Sequence, residues 1–286
     1  MDHEQSIIIV RRYESGMLTI RALHYQLVSR GMTNTFVHYK RVVNAMIAAR
    51  WRGDVSFEAF SDHDREILGE SSHTTTTVEN AVDSSMYAIN HWLSNYKKNR
   101  WENQENYLEI WIEKKALQGV FQKVTERNGV ILSPCKGYPS LTFLNDAAER
   151  FVEAKRRGMN PVIVYFGDYD ASGEDIPRSI QDNLNRIGSG GVIVERRGLF
   201  LMQVEKLQLP TAPTKAGDSR AKKWKGIGQV ELDSVDVSIL QSWCQEAIDE
   251  FFDPDLYSDL ISIEAEETAE YRSEMKLRII DLVNDM

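Results

Sequence analysis

From residue 106 to residue 195 the chain alternates between strand-length apolar runs and helix-length amphipathic stretches, and this alternation limits the possible folds more than any other feature. Residues 107–112 (YLEIWI), 130–133, 162–166 (VIVYF) and 191–195 (GVIVE) read as strands, each too short for a stable helix. Between them, 114–127, 142–157 and 176–187 carry helical spacing. Strands alternating with helices predict βαβ units, hence an α/β fold with a mainly parallel sheet covered by helices on both faces. Ligands of such sheets bind beyond the carboxyl ends of the strands, so the residues just after each run are the ones to read for chemistry.

Carboxylates stand there. YLEIWI ends directly in Glu113, followed by Lys114 and Lys115, and VIVYF ends in GDYDASGED, which places Asp168 and Asp170 just past its end. Alternate residues of an extended chain point the same way, so the two aspartates converge if extended geometry lasts one more step. Gly167 and Gly173 let the backbone turn tightly around them. If the strand of Glu113 neighbours that of Asp168, three carboxylates meet at one sheet edge, an oxygen-rich ligand set suited to Mg2+.

Upstream, residues 17–30 and a second stretch starting after Asn34 or Thr35 read as two short helices joined by a turn at Gly31. The second is rich in Lys and Arg, with Val42, Val43, Met46 and Ile47 at helical spacing. The pair fits either a helix-turn-helix or winged-helix module or an ordinary helical hairpin. Residues 71–77 (SSHTTTT) read as a linker into a helical stretch at 78–98. The first of the two helices contains Arg21-Ala22-Leu23-His24-Tyr25. Four residues apart, Arg21 and Tyr25 share a face, so the cation can contact a phosphate or ease ionisation of the phenol. A buried aromatic on an amphipathic helix is the alternative reading of Tyr25. Tyr13 and Tyr39 also lie near basic residues, outside the Arg-x-x-x-Tyr spacing.

A Glu at one strand end followed by Asp-x-Asp-plus-Gly at a later one resembles the TOPRIM domain of topoisomerases, primases and some nucleases. The DYDASGEDI context resembles in particular the A subunit of topoisomerase VI and its relative, the meiotic double-strand-break transesterase. Residues 197–210 (RGLFLMQVEKLQLP) and 230–235 (VELDSV) are similar to later elements of that family, so the resemblance covers about 105–240 and the N-terminal module. It implies a winged-helix module at 1–75, a helical linker at 76–104, a TOPRIM-type domain at 105–230 and an acidic helical region at 231–286. It further implies that Tyr25 attacks DNA with Arg21 and Glu113 assisting, that Glu113, Asp168 and Asp170 hold Mg2+, and that the protein acts on double-stranded DNA as a homodimer. Ala22 stands where the family has an acid, and His24 where an aromatic is common. No Gly-rich ATPase signature is present, so strand passage would need a separate ATPase subunit. Two other functions use the same residues: a nuclease in which metal-activated water attacks, and a DNA-binding protein without catalysis.

Charge locates the nucleic-acid surface. The formal net charge of −9 argues against a nucleic-acid binder when taken whole. By segment, residues 1–53 hold eight basic against three acidic side chains, while 231–286 hold three basic against sixteen acidic ones. Residues 215–225 (KAGDSRAKKWK) add five bases against one acid, either a solvated loop or one that tracks a DNA backbone. Arg41, Arg50, Lys215, Arg220, Lys222 and Lys223 are the expected DNA contacts, and Trp224 either stacks on a base or anchors the loop. The acidic C-terminal region packs on the core, mediates assembly or shields the basic face. Cys135 and Cys244 have no partner at metal-site spacing, the apolar runs are far shorter than a bilayer span, and acids precede the first apolar stretch. These features predict a reduced, cytoplasmic protein without membrane contact.

Overall fold

Four apolar runs pair as one parallel sheet in the computed structural model, which describes residues 2–13, 18–60, 77–213, 224, 226 and 228–284. The strands are β1 (Asn106–Ile112), β2 (Ile131–Pro134), β3 (Asn160–Phe166) and β4 (Ile193–Gly198), in the order β2-β1-β3-β4. β1 and β3 pair from Asn106 opposite Asn160 to Ile112 opposite Phe166, so their carboxyl ends are level. The α/β fold read from the alternation is the fold observed.

Side chains of β1 and β3 divide by parity. Trp111, Ile163 and Tyr165 are buried with Leu144 and Phe151 of α6 (Leu141–Arg156) and Ile176, Ile180 and Leu184 of α7 (Ala171–Ile187). On the opposite face Phe166 meets Phe121 of α5 (Gln118–Asn128), their rings 5.0 Å apart. Helix α9 (Val237–Glu250) packs on α5, where Gln241 donates to the Val120 carbonyl at 3.1 Å. The short α8 (Leu201–Lys206) follows β4.

The N-terminal part has three helices where the sequence reading has two: α1 (Asp2–Val10), α2 (Ile20–Val28) and α3 (Phe36–Arg52). The first apolar stretch, IIIV at 7–10, forms the end of α1, and it buries Ile9 and Val10 as α1 packs on α2 and α3. Thr19 and Thr35 cap α2 and α3, accepting from the backbone N–H groups of Ala22 and His38. Helix α2 ends at Val28, and Gly31 takes φ of 100° in the turn beyond it.

Residues 1–65 and 105–251 form one compact unit, and residues 66–104 and 252–286 a second. These limits differ from those drawn on sequence: the N-terminal helices and the sheet share a unit, and the acidic region divides, with α9 staying beside the sheet. The second unit pairs α4 (Val78–Ser94) with α10 (Pro254–Asn284). There Lys98 meets Glu267 at 3.0 Å, Tyr271 donates to the Trp92 carbonyl at 3.0 Å, and Arg100 lies 4.3 Å from the Phe252 ring centre. Among the described residues no helix is long and apolar enough to cross a membrane.

Candidate active site

Because β1 and β3 are level neighbours, the residues that follow them meet. The Glu113 N–H donates to the Phe166 carbonyl at 2.9 Å, and Glu113 Oε2 accepts from the Asp168 N–H at 2.9 Å and the Tyr165 hydroxyl at 3.2 Å. Asp170 is extended, at φ −152° and ψ 177°, and its Oδ1 accepts from Gly173 N–H at 2.7 Å as the N-cap of α7. That cap starts α7 five residues before the helix read from sequence at 176. Neither Gly167 nor Gly173 has positive φ; both serve close approach instead. A Cβ on Gly173 would lie 2.2 Å from the Asp168 carbonyl oxygen, and one on Gly167 would lie 2.7 Å from Glu113 Oε2.

Burial raises the pKa of Glu113, and the Asp170 charge adds to the shift. Burial likewise pushes Asp168 up to about 7, with Glu113 adding to the shift and the Lys114 ammonium opposing it. Glu113 thus feels the charge of Asp170, and Asp168 feels that of Glu113. Asp168, however, is already engaged: Oδ1 accepts from Leu232 N–H at 2.7 Å, and Oδ2 lies 3.2 Å from Lys114 Nζ.

Lys114 is the hub of a cluster the sequence reading did not assemble. Its ammonium also lies 3.0 Å from Glu231 Oε2 and 3.1 Å from Asp233 Oδ1. Burial alone would lower its pKa, but Asp233, Asp168 and Glu231 together raise it, so it is a fixed cation. The VELDSV segment brings the two extra acids because Tyr169 and Val230 exchange backbone hydrogen bonds of 2.8 and 3.0 Å across the DYD turn. Arg196, near the end of β4, donates to the Asp168 carbonyl at 2.8 Å and lies over the Phe200 ring. Its Nε is buried without a hydrogen-bond partner, and burial lowers its pKa.

Helix α2 joins this cluster. Arg21 Nη1 lies 2.8 Å from Glu231 Oε2, and Arg21 Nε lies 3.9 Å from Asp233 Oδ2. Tyr25 lies within reach of the same charges: burial together with the charges of Glu231 and Asp233 raises its pKa far above that of a free phenol. Burial would raise Glu231, but Lys114 and Arg21 bring it down to about 2, so it is a carboxylate at every ordinary pH. His24 is a buried core histidine: burial lowers its pKa, Nδ1 has no partner, and Nε2 is 3.3 Å from Asn34 Oδ1. Tyr13 is engaged elsewhere, donating to Asp236 at 2.6 Å.

A cleft of about 960 Å3 runs between the α2–α3 region and the ends of β1 and β2, and Glu113 and Lys114 line it. Arg50 lines it too, stacked 4.8 Å from the Phe60 ring centre. Arg41, nine residues earlier, is exposed on the other side of α3 and does not line it. Lys215, Arg220, Lys222 and Lys223 lie outside the described residues. Trp224 packs against Tyr169 with ring centres 5.0 Å apart.

The donor chemistry fits Mg2+ in part. Glu113 Oε1 and Asp170 Oδ2 have no hydrogen-bond partner among the described residues, and Mg2+ is commonly held by one or two carboxylates and water. Asp168 faces Lys114 instead, and among the described residues no three His, Cys, Asp or Glu side chains stand as a ready ligand group. Comparison with known proteins finds no match: no family model, curated protein or solved structure searched is significantly similar to the chain.

Proposed function

We propose that the chain is a Mg2+-dependent DNA-cleaving enzyme of the topoisomerase VI A-subunit type, with Tyr25 as nucleophile. The observation that carries this reading is the network from Arg21 through Glu231 and Lys114 to Asp168, which ties the helix of Tyr25 to the carboxylate edge of the sheet. A structural helix has no need of an arginine that shares a half-buried carboxylate with the sheet's lysine, one turn from a tyrosine.

Arg21 holds a phosphate non-bridging oxygen. Tyr25 Oη attacks phosphorus; the new P–O bond to tyrosine forms as the P–O3′ bond breaks, leaving the protein joined to a DNA end. The phenol gives up its proton to water and the departing 3′-oxygen takes one from water, with Glu113 assisting at the sheet edge. Glu113, Asp170 and Asp168 would hold Mg2+, which when bound would supply Lewis-acid stabilisation of charge on the phosphoryl oxygens. The protein acts as a homodimer with one site per strand, and a separate ATPase subunit would drive any strand passage.

One observation favours a second reading. Glu231 and Asp233 keep the Tyr25 phenol protonated, which suits a nuclease in which water attacks and Tyr25 positions the DNA. Incubation with supercoiled DNA and Mg2+, followed by denaturant and protease, separates the two. Protease-sensitive protein on the broken ends of wild type, absent in Tyr25→Phe, is the result expected. Equal cleavage by both proteins with free ends would replace transesterification by hydrolysis.

A further inference from the structure

Helix α3 carries two apolar stripes. Val42, Met46 and Ala49 are buried in the core, which accounts for one. Tyr39, Val43, Ile47 and Arg50 follow at spacings of four, four and three, and all line the cleft, with Ile47 left 45% exposed. Phe57, 61% exposed, extends the same wall. The opposite wall, at the ends of β1 and β2, carries Lys115 and Lys136 beside Glu113 and Asp233, with Lys114 already held by its carboxylates. Lys136 and Arg50 make no salt bridge among the described residues, and Arg50 Nε is buried without a hydrogen-bond partner.

We infer that this cleft binds a single strand of DNA, its bases against Tyr39, Ile47 and Phe57 and its phosphates on Lys136 and Arg50, and leads it to Glu113. Charge complementarity selects a polyanion, and the apolar wall selects one with exposed flat faces. A duplex turns its phosphates outward and keeps its bases stacked, so it would leave that wall without a partner, whereas an unpaired strand offers a phosphate row and π-faces together. The inference rests on the reading that the carboxylate edge acts on DNA, and it narrows the preferred substrate to DNA with an unpaired segment beside the broken bond.

The test is anisotropy of fluorescein-labelled DNA with the full chain in EDTA, where no cleavage complicates binding. The probes are a single-stranded 20-mer, a blunt duplex of equal length and a duplex with an overhang. The single strand and the overhang are expected to bind at least about tenfold more tightly than the blunt duplex. Phe57→Ala, which removes an exposed ring, should cut single-strand affinity about tenfold and leave duplex affinity unchanged. Lys136→Ala should weaken the single strand and reduce its salt slope by about 0.7. Equal or tighter binding of the blunt duplex, no effect of Phe57→Ala, or displacement of the strand by polyglutamate as effective as by unlabelled DNA would overturn the inference. Because covalent attachment at Tyr25 is read in a different assay, a strand preference can fail while that chemistry stands, and the reverse.

Discussion

Asp168→Asn should make the metal-free protein more stable at alkaline pH. Burial holds Asp168 at about 7 against an unfolded value near 3.8, a gap of roughly three pKa units. A carboxyl whose folded pKa is raised binds more protons folded than unfolded between those values, so stability falls as pH rises through that window. At about 1.4 kcal/mol per unit, the charged side chain costs the wild type about 4 kcal/mol at pH 8, with the attraction of Lys114 already counted. The amide keeps an acceptor for the Leu232 N–H and carries no charge, so it escapes that cost. The gain should shrink to about 2 kcal/mol at pH 5 and vanish below pH 4. Asp168 and Glu113 titrate as an interacting pair, so the midpoint observed belongs to both. Urea titrations followed by circular dichroism in EDTA measure the difference, and a gain of 4 kcal/mol corresponds to roughly 8–16 °C in melting temperature for a unit of this size. A variant less stable than wild type at pH 8, or a gain that does not change with pH, would refute the claim that the carboxylate edge is held together against its own charge.

Glu231→Gln tests the hub from the other side. Its folded pKa lies below the unfolded one, so its contribution is present above about pH 4.5 and is lost as pH falls through about 2. Removing the charge should cost about 1–3 kcal/mol at pH 7 after solvent screening, and should let Tyr25 ionise at lower pH, read as tyrosinate absorbance on alkaline titration. An unchanged tyrosine titration would detach Glu231 from Tyr25. Gly173→Ala must move α7 or the Asp168 carbonyl, because the new Cβ would sit 2.2 Å from that oxygen. A loss of roughly 2–4 kcal/mol in denaturant titration is expected, and a neutral effect would show that the turn is not close-packed.

The parts of the site that were legible in the sequence are those where one strand end announces its own chemistry. Glu113, Asp168 and Asp170 each follow an apolar run, and parallel pairing of β1 with β3 makes them neighbours. The start of α3 was legible for the same local reason, with Asn34 and Thr35 both open as its cap and Thr35 taking the role. Lys114 was visible only as the residue after Glu113, since its three carboxylates come from positions 168, 231 and 233, a juxtaposition created by long-range folding. Arg196 was missed because β4 runs to Gly198, beyond the GVIVE run that marked it. Helix α1 was missed because four consecutive apolar residues show no period, and only packing against α2 and α3 gives them one buried side. The second stripe of α3 was merged with the first, because Val42 and Val43, and Met46 and Ile47, are adjacent in sequence yet belong to different surfaces.

The central claim is that Tyr25 becomes covalently joined to DNA. Wild-type protein incubated with nicked or overhang DNA and Mg2+, digested with trypsin and nuclease and analysed by tandem mass spectrometry, should give a nucleotide-modified peptide with the phosphate on Tyr25, absent in EDTA and in Tyr25→Phe. Broken DNA accompanied only by unmodified Tyr25 peptide, or modification on Tyr13 or Tyr39 instead, would contradict the account.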